Sequence, residues 1–174
     1  MPTIIHQTDR LHLTSWDLAD FPAFAQVARD PKVMHFIAEG EPWPDSRIGW
    51  FMGQQAAWQR ALGYCLWQLR LKSSGEMIGF CGLCPLAEID EVEIGWWLKP
   101  GFWRQGYAVE AAQQTVHAAF KDHQLKRIVA RAYADNARSI RLMDKLGMRF
   151  AKPFGNGPRG PIVLYALAAA ENKM

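Results

Sequence analysis

Apolar residues along this chain change their repeat several times, and each change marks an element. Arg10 to Thr14 (RLHLT) alternates and predicts a first strand. Asp17 to Arg29 then repeats at helical spacing, predicting a helix stopped near Asp30-Pro31. Glu39 to Asp45, with two prolines and a glycine, predicts a loop, after which Asp45 or Ser46 could cap a helix running to about Leu62. Tyr64 to Lys72 and Met77 to Leu86 predict a strand hairpin around the Ser73-Ser74-Gly75 turn. Glu91 to Leu98 is the next strand, ended by Pro100-Gly101. Its alternation puts Val92, Ile94, Trp96 and Leu98 on one side and Glu91, Glu93, Gly95 and Trp97 on the other. From Tyr107 to about Asp122, Ala108, Ala111, Ala112, Thr115, Val116, Ala119 and Phe120 form the stripe of a helix packed on a sheet. Arg127 to Tyr133 predicts a strand. Asn136 to Leu146 predicts a helix with Asn136 as N-cap and Gly147 at its stop, and Met148 to Phe154 and Ile162 to Leu167 are closing strands. The order β-α-α-β-β-β-α-β-α-β-β predicts an α/β layered domain, a mixed central sheet of about seven strands flanked by about four helices. No repeat, low-complexity tract or linker divides it, so residues 1–174 are expected to form a single domain.

Composition narrows the class. With 49% hydrophobic residues, 21% charged and a net charge of +3, the chain can bury a core and is not a disordered segment. Its longest apolar run, Ile162 to Ala170, is far short of the roughly 20 residues of a membrane span, and the start MPTIIHQTDR carries no secretory pattern. A soluble, cytoplasmic protein is the expectation. Cys65, Cys81 and Cys84 cannot close a disulfide framework. The CxxC spacing of Cys81 and Cys84 finds no second Cys/His pair at zinc-ligand spacing, so packed strand thiols and no metal are expected.

The charge is uneven. Residues 1–60 hold five cations against seven anions and 61–120 four against six, whereas 121–174 hold eleven against four. All eight tryptophans lie within the first 103 residues, so the basic third lacks the interleaved aromatics of a single-strand nucleic-acid platform. It suits a compact, multiply phosphorylated ligand or a solvated face as well. No nucleic acid and no membrane are expected as partners, and a homodimer stays open.

The stretch Pro100 to Ala111 (PGFWRQGYAVEA) turns from strand to helix through Gly101 and Gly106. A helix start presents unpaired N–H groups and partial positive charge, and a glycine there lets the backbone approach an anion. The turn is neither a Walker loop nor a dinucleotide fingerprint.

Together, EVEIGWWLKPGFWRQGYAVEA and DNARSIRLMDKLGMRF resemble the two signature blocks of the GNAT acyl-CoA-dependent N-acetyltransferases. They are closest to the branch holding the ribosomal-protein N-terminal acetyltransferases (RimJ/RimL-like). The resemblance implies a GNAT-like acyl-CoA N-acyltransferase fold and acetyl-CoA as co-substrate. Its diphosphate would lie on the backbone N–H groups of Trp103, Arg104, Gln105, Gly106, Tyr107 and Ala108. Its pantetheine would lie along a bulged strand near Trp96, Trp97 and Leu98, with Asn136 hydrogen-bonding the arm. Trp103 stands where the family's phosphate motif begins with Gln or Arg. Met143 stands where many members place a tyrosine acid, and Ser139 occupies the serine position of the RimJ/RimL-like branch.

Acetyl transfer to an amine needs a neutral nucleophile, a polarised thioester and a proton for the thiolate. The catalytic candidates are Glu93, as base through water, and Ser139, as acid or thiol anchor. Glu91 is the alternative base, and a structural ion pair is the alternative role for Glu93. Arg104, Arg138, Arg141 and Lys145 are candidates for the coenzyme phosphates. The stripe Trp50, Phe51 and Trp58 is first a core face, and Glu39, Glu41 and Asp45 could attract a cationic amine. The expected function is acetyl transfer in a ternary complex to a primary amine, either a protein N-terminus or a small molecule. The alternative is a non-catalytic acyl-CoA sensor.

Overall fold

The computed structural model describes residues 2–172. Eight strands make one sheet: β1 (Ile4–Gln7), β2 (Leu11–Thr14), β3 (Leu66–Leu71), β4 (Met77–Leu86), β5 (Glu91–Leu98), β6 (Arg127–Tyr133), β7 (Arg149–Gly157) and β8 (Gly160–Ala168). Their spatial order is β1-β2-β3-β4-β5-β6-β8-β7. Every neighbouring pair is antiparallel except β5 with β6. The helices are α1 (Phe21–Ala28), α2 (Pro31–Met34), α3 (Asp45–Leu62), α4 (Tyr107–His117), which runs on into a π turn at Ala118–Asp122, and α5 (Ala137–Lys145).

The departures from the sequence pattern are local. β1 is the eighth strand. It is formed because the chain folds back at Thr8, whose N–H donates to the Leu11 carbonyl while its hydroxyl accepts from the Leu11 N–H. The single helix expected over Asp17 to Arg29 is split: Asp17 caps a 3-10 turn at Leu18–Asp20, and α1 starts with proline in its first turn. α1 ends at Ala28 with Arg29 as its C-cap, near the expected stop, and Pro31 also opens a second helix, which Asp30 caps by accepting from the Lys32 and Val33 N–H groups. At α3 the N-cap position falls on Pro44, not on Asp45 or Ser46.

The sheet is covered on both faces. Leu13, Trp67, Leu69, Ile78 and Ile94 pack with Ala111, Ala112 and Val116 of α4 and Leu142, Met143 and Leu146 of α5. On the other face Phe24, Met34, Trp43, Phe51 and Met52 pack on Leu66 and Phe80. Along β5, Val92, Ile94, Trp96 and Leu98 join the first layer and Trp97 the second, as the alternation predicts. Of the α3 stripe only Phe51 is buried. Trp58 packs at the margin of the core and Trp50 is 67% exposed, because helical rotation sets it on the side of α3 opposite the buried Ile48, Phe51, Met52 and Gln55.

Candidate active site

The sheet opens at β5 and β6, which share a single paired position, Glu93 with Val129. The register of β4 on β5 is unbroken from Gly79–Leu98 to Leu86–Glu91, so the bulge implied by the resemblance is not in that ladder. Beyond Leu98, the Lys99 N–H donates to the Ile78 carbonyl. Strand alternation then spends the peptide groups of Trp97 on β4 and turns those of Trp96 and Leu98 toward the opening. The Leu98 carbonyl is taken by Trp103 Nε1 at 2.8 Å.

A cavity of about 360 Å³ lies at this opening, between β5, the start of α4, α5 and α2. It brings together eleven of the twelve residues expected to hold the cofactor: Trp96, Trp97, Leu98, Trp103, Arg104, Gly106, Tyr107, Ala108, Asn136, Ser139 and Arg141. Gln105 does not line it. Lys32, Arg104, Arg138, Arg141 and Lys145 line it too, with no carboxylate and no histidine. The positive excess of the last third therefore converges in part on one cavity. Elsewhere Arg127 pairs with Glu91, and Arg131 with Glu88 and Glu93.

The start of α4 forms a cradle. Arg104 and Gly106 have φ of +62° and +86°, left-handed values that coil the loop into α4 with Gly106 at the N-cap. Trp103 donates its N–H to the Pro100 carbonyl, so that expected donor is spent. Among the described residues no acceptor engages the N–H groups from Arg104 to Val109, and Gly106 is exposed. A helix start of this kind favours an anion. Arg138, on α5, lies over the Trp103 ring at 4.0 Å and links the two walls.

On α5, Asn136 Oδ1 accepts from the Ser139 N–H at 3.2 Å, a cap that leaves the amide nitrogen for other partners. Ser139 is half-buried on the first turn and lines the cavity. Met143 is fully buried in the core.

A model of the acetyltransferase (GNAT) domain matches residues 10–149. The chain belongs to the GNAT acetyltransferase family. It is 30% identical over 145 residues to the uncharacterized N-acetyltransferase YnaD of Bacillus subtilis (strain 168), over 82% of this chain and 81% of the relative. A GNAT-family acetyltransferase from Bacillus anthracis is 26% identical and aligns over 98% of this chain and 100% of its own, with a TM-score of 0.81. RimL, the ribosomal L7/L12 α-N-protein acetyltransferase, solved in complex with coenzyme A, shares the fold. It has a TM-score of 0.80 at 17% identity over 95% of this chain and 98% of its own. The protein is an acetyl-CoA-dependent acetyltransferase, and no helix among the described residues is long and apolar enough to cross a membrane.

The acetyltransferase does not bring Glu93 to the cavity. Both its oxygens accept from Arg131, from Nε at 3.1 Å and Nη2 at 3.0 Å, while Arg131 Nη1 donates to Glu88. Glu91, the alternative base, accepts from Arg127 at 2.7 Å. The reason is topological: β6 lies beside β5, and its arginines meet the β5 carboxylates across the strands. In the acidic loop Glu39 pairs with Arg47, and Asp45 with Arg29. Cys81 faces the α4 layer and contacts Thr115, and burial pushes its thiol up to about 12, far from thiolate chemistry. Among the described residues no group of three or more His, Cys, Asp and Glu could hold a metal ion.

Sequence reasoning missed Arg10. Its Nη1 donates to the Gln105 carbonyl at 3.0 Å and its guanidinium lies over the Tyr107 ring at 4.2 Å. Glu110, in the first turn of α4, accepts from Arg10 Nε at 2.6 Å, from the Arg10 N–H at 2.9 Å, and from the Thr8 hydroxyl. Burial alone would raise the Glu110 carboxyl, but these hydrogen bonds hold it below the ordinary value. The signal available was Glu110 itself, an acid in the first turn of a helix expected to bind an anion.

Proposed function

We propose that this acetyltransferase moves the acetyl group of acetyl-CoA directly to a primary amine, a protein N-terminus or a small-molecule amine, with both substrates bound at once. The whole chain, 1–174, acts as one catalytic domain in the cytoplasm. The observation that carries the proposal is the run of unengaged N–H groups from Arg104 to Val109 opening on a cavity lined by five cations and no carboxylate. Such a site attracts a polyanion, and no acidic side chain opposes it.

The residues present fit acetyl-CoA. The amides around Gly106 would take the diphosphate, and Arg104, Arg138, Arg141 and Lys145, which line the cavity, would neutralise the phosphates. The peptide groups of Trp96 and the N–H of Leu98, turned toward the opening, would with Asn136 take the pantetheine arm. Bound acetyl-CoA supplies the activated thioester. Ser139 Oγ is assigned as the group that passes a proton to the departing sulfur and regains one from the water that takes the proton of the amine, since Met143 is buried and carries no proton to give. With no carboxylate or histidine in the lining, the amine is accepted neutral and sheds its proton to water at the mouth. Glu93 acts in the scaffold instead, where with Arg131 it ties β5 to β6 as the two strands part.

The test is thiol release from acetyl-CoA with two acceptor panels, peptides with free N-termini and small primary amines. Turnover with members of one panel identifies the acceptor class. Coenzyme A binding without turnover on either panel favours the non-catalytic sensor. No coenzyme A binding at all refutes the cradle.

A further inference from the structure

Resting on the diphosphate site proposed above, we propose that Arg10 is a positioning residue of the cradle: it holds the Gly106 N–H toward the ligand by gripping the same peptide group from behind. A trans peptide is planar, with its C=O and N–H pointing in opposite directions. Arg10 Nη1 binds the Gln105 carbonyl, so the N–H of Gly106 points away from Arg10. Gly106 lines the cavity and Arg10 does not, which places that N–H on the ligand side.

This peptide needs holding. It joins Gln105 to Gly106, and left-handed Arg104 and Gly106 stand on either side of Gln105. Glycine offers little resistance to rotation of the peptide plane. Arg10 is itself held fast, by two bonds to Glu110 and by the Tyr107 ring beneath it. Glu110 closes the ring, because its own N–H donates to the Gly106 carbonyl at 3.0 Å. The β1–β2 turn, the 105–106 peptide and the first turn of α4 therefore form one rigid unit. Glu110 also cancels the charge of Arg10, so the arginine acts through geometry rather than by attracting phosphate. A donor fixed before the ligand arrives needs no reorganisation on binding.

The test is calorimetry with coenzyme A and with 3′-dephospho-coenzyme A, which keeps the diphosphate, on the full chain and on Arg10→Met and Arg10→Lys. Arg10→Met is expected to bind both ligands more weakly by the same factor, about tenfold. Arg10→Lys is expected not to restore the affinity, because an ammonium keeps the charge but not the guanidinium fork. In amide NMR spectra the Gly106 resonance, shifted by coenzyme A in the unmodified protein, should shift less in both variants.

Unchanged affinity in Arg10→Met overturns the proposal. So does full recovery in Arg10→Lys, which would mean that charge alone suffices, and so does an effect confined to coenzyme A, which would point to the 3′-phosphate. Arg10→Lys keeps a cation beside Glu110 and decides the matter if Arg10→Met does not fold. Should the unmodified protein bind neither ligand, the diphosphate site itself fails; binding there with unchanged variants sinks only the role of Arg10.

Discussion

Replacing Glu93 with glutamine separates a structural carboxylate from a chemical one. In Glu93→Gln the shape is kept, but the charge goes and an NH2 group is turned toward the Arg131 guanidinium. Arg131 keeps Glu88, whose side chain is 61% exposed, and the Phe154 ring at 5.2 Å. Breaking a fully buried pair costs about 3–5 kcal/mol and an exposed one less than about 1. The Glu93 and Arg131 side chains are 15% and 30% exposed, which places this pair between those limits, at about 2 kcal/mol. For a chain of 174 residues that is a fall in Tm of about 4–8 °C, at about 2–4 °C per kcal/mol. Loss of a general base would instead lower kcat by about 10²–10⁴. Thermal denaturation without ligand, coenzyme A calorimetry and turnover with the acceptor found in the screen make the comparison. A lower Tm with kcat within about threefold of the unmodified enzyme is expected for a pair that only ties strands. A Tm unchanged within about 1 °C, together with a kcat loss of about a hundredfold or more, would refute that assignment and make Glu93 the base.

Gly106→Glu is expected to abolish coenzyme A binding. It forces a side chain into a left-handed position with its Cβ 3.2 Å from Arg10 Nη2, which displaces the guanidinium that holds the 105–106 peptide and adds a carboxylate next to the cradle, and unmodified affinity by calorimetry would show that the diphosphate lies elsewhere. Stability is expected to fall with pH below about 6.5. Burial lowers His6 against the opposing pull of Asp122, with His123 and His117 adding to the lowering, and burial lowers His123 as well. The unfolded chain then takes up protons first, so stability is full above the ordinary histidine value. It declines as pH drops toward the lowered ones, by at most about 1.4 kcal/mol per pH unit for each histidine and less where solvent screens. Urea denaturation at several values between pH 7.5 and 5.5 checks this. A flat or rising stability toward pH 5.5 contradicts it, and His6→Gln should flatten the slope.

Most elements were legible because periodicity reports locally which face of a segment is buried. β4, β5 and β6 fall where their patterns place them, and Asn136 caps α5 as its type and place suggest. β1 was not legible, because four residues held by a turn and one neighbour carry no repeat long enough to read. The α1–α2 break was obscured by a proline that reads equally well as a stop or a start. Within the site, the cradle residues were legible as a strand-turn-helix motif. The spending of the Trp103 amide and the Leu98 carbonyl inside the protein was not.

By itself the sequence determined the succession of strands and helices, the anion-seeking turn at Gly106 and the two blocks that mark an acetyltransferase, all properties of residues near one another in the chain. Only the tertiary structure decided which distant groups meet. β6 beside β5 couples Glu93 to Arg131, 38 residues on, and the β1–β2 turn carries Arg10 to a carbonyl 95 residues away. The physical reason is that a carboxylate or a peptide group takes its role from the partner it reaches. Strand order, which no local repeat encodes, sets that partner.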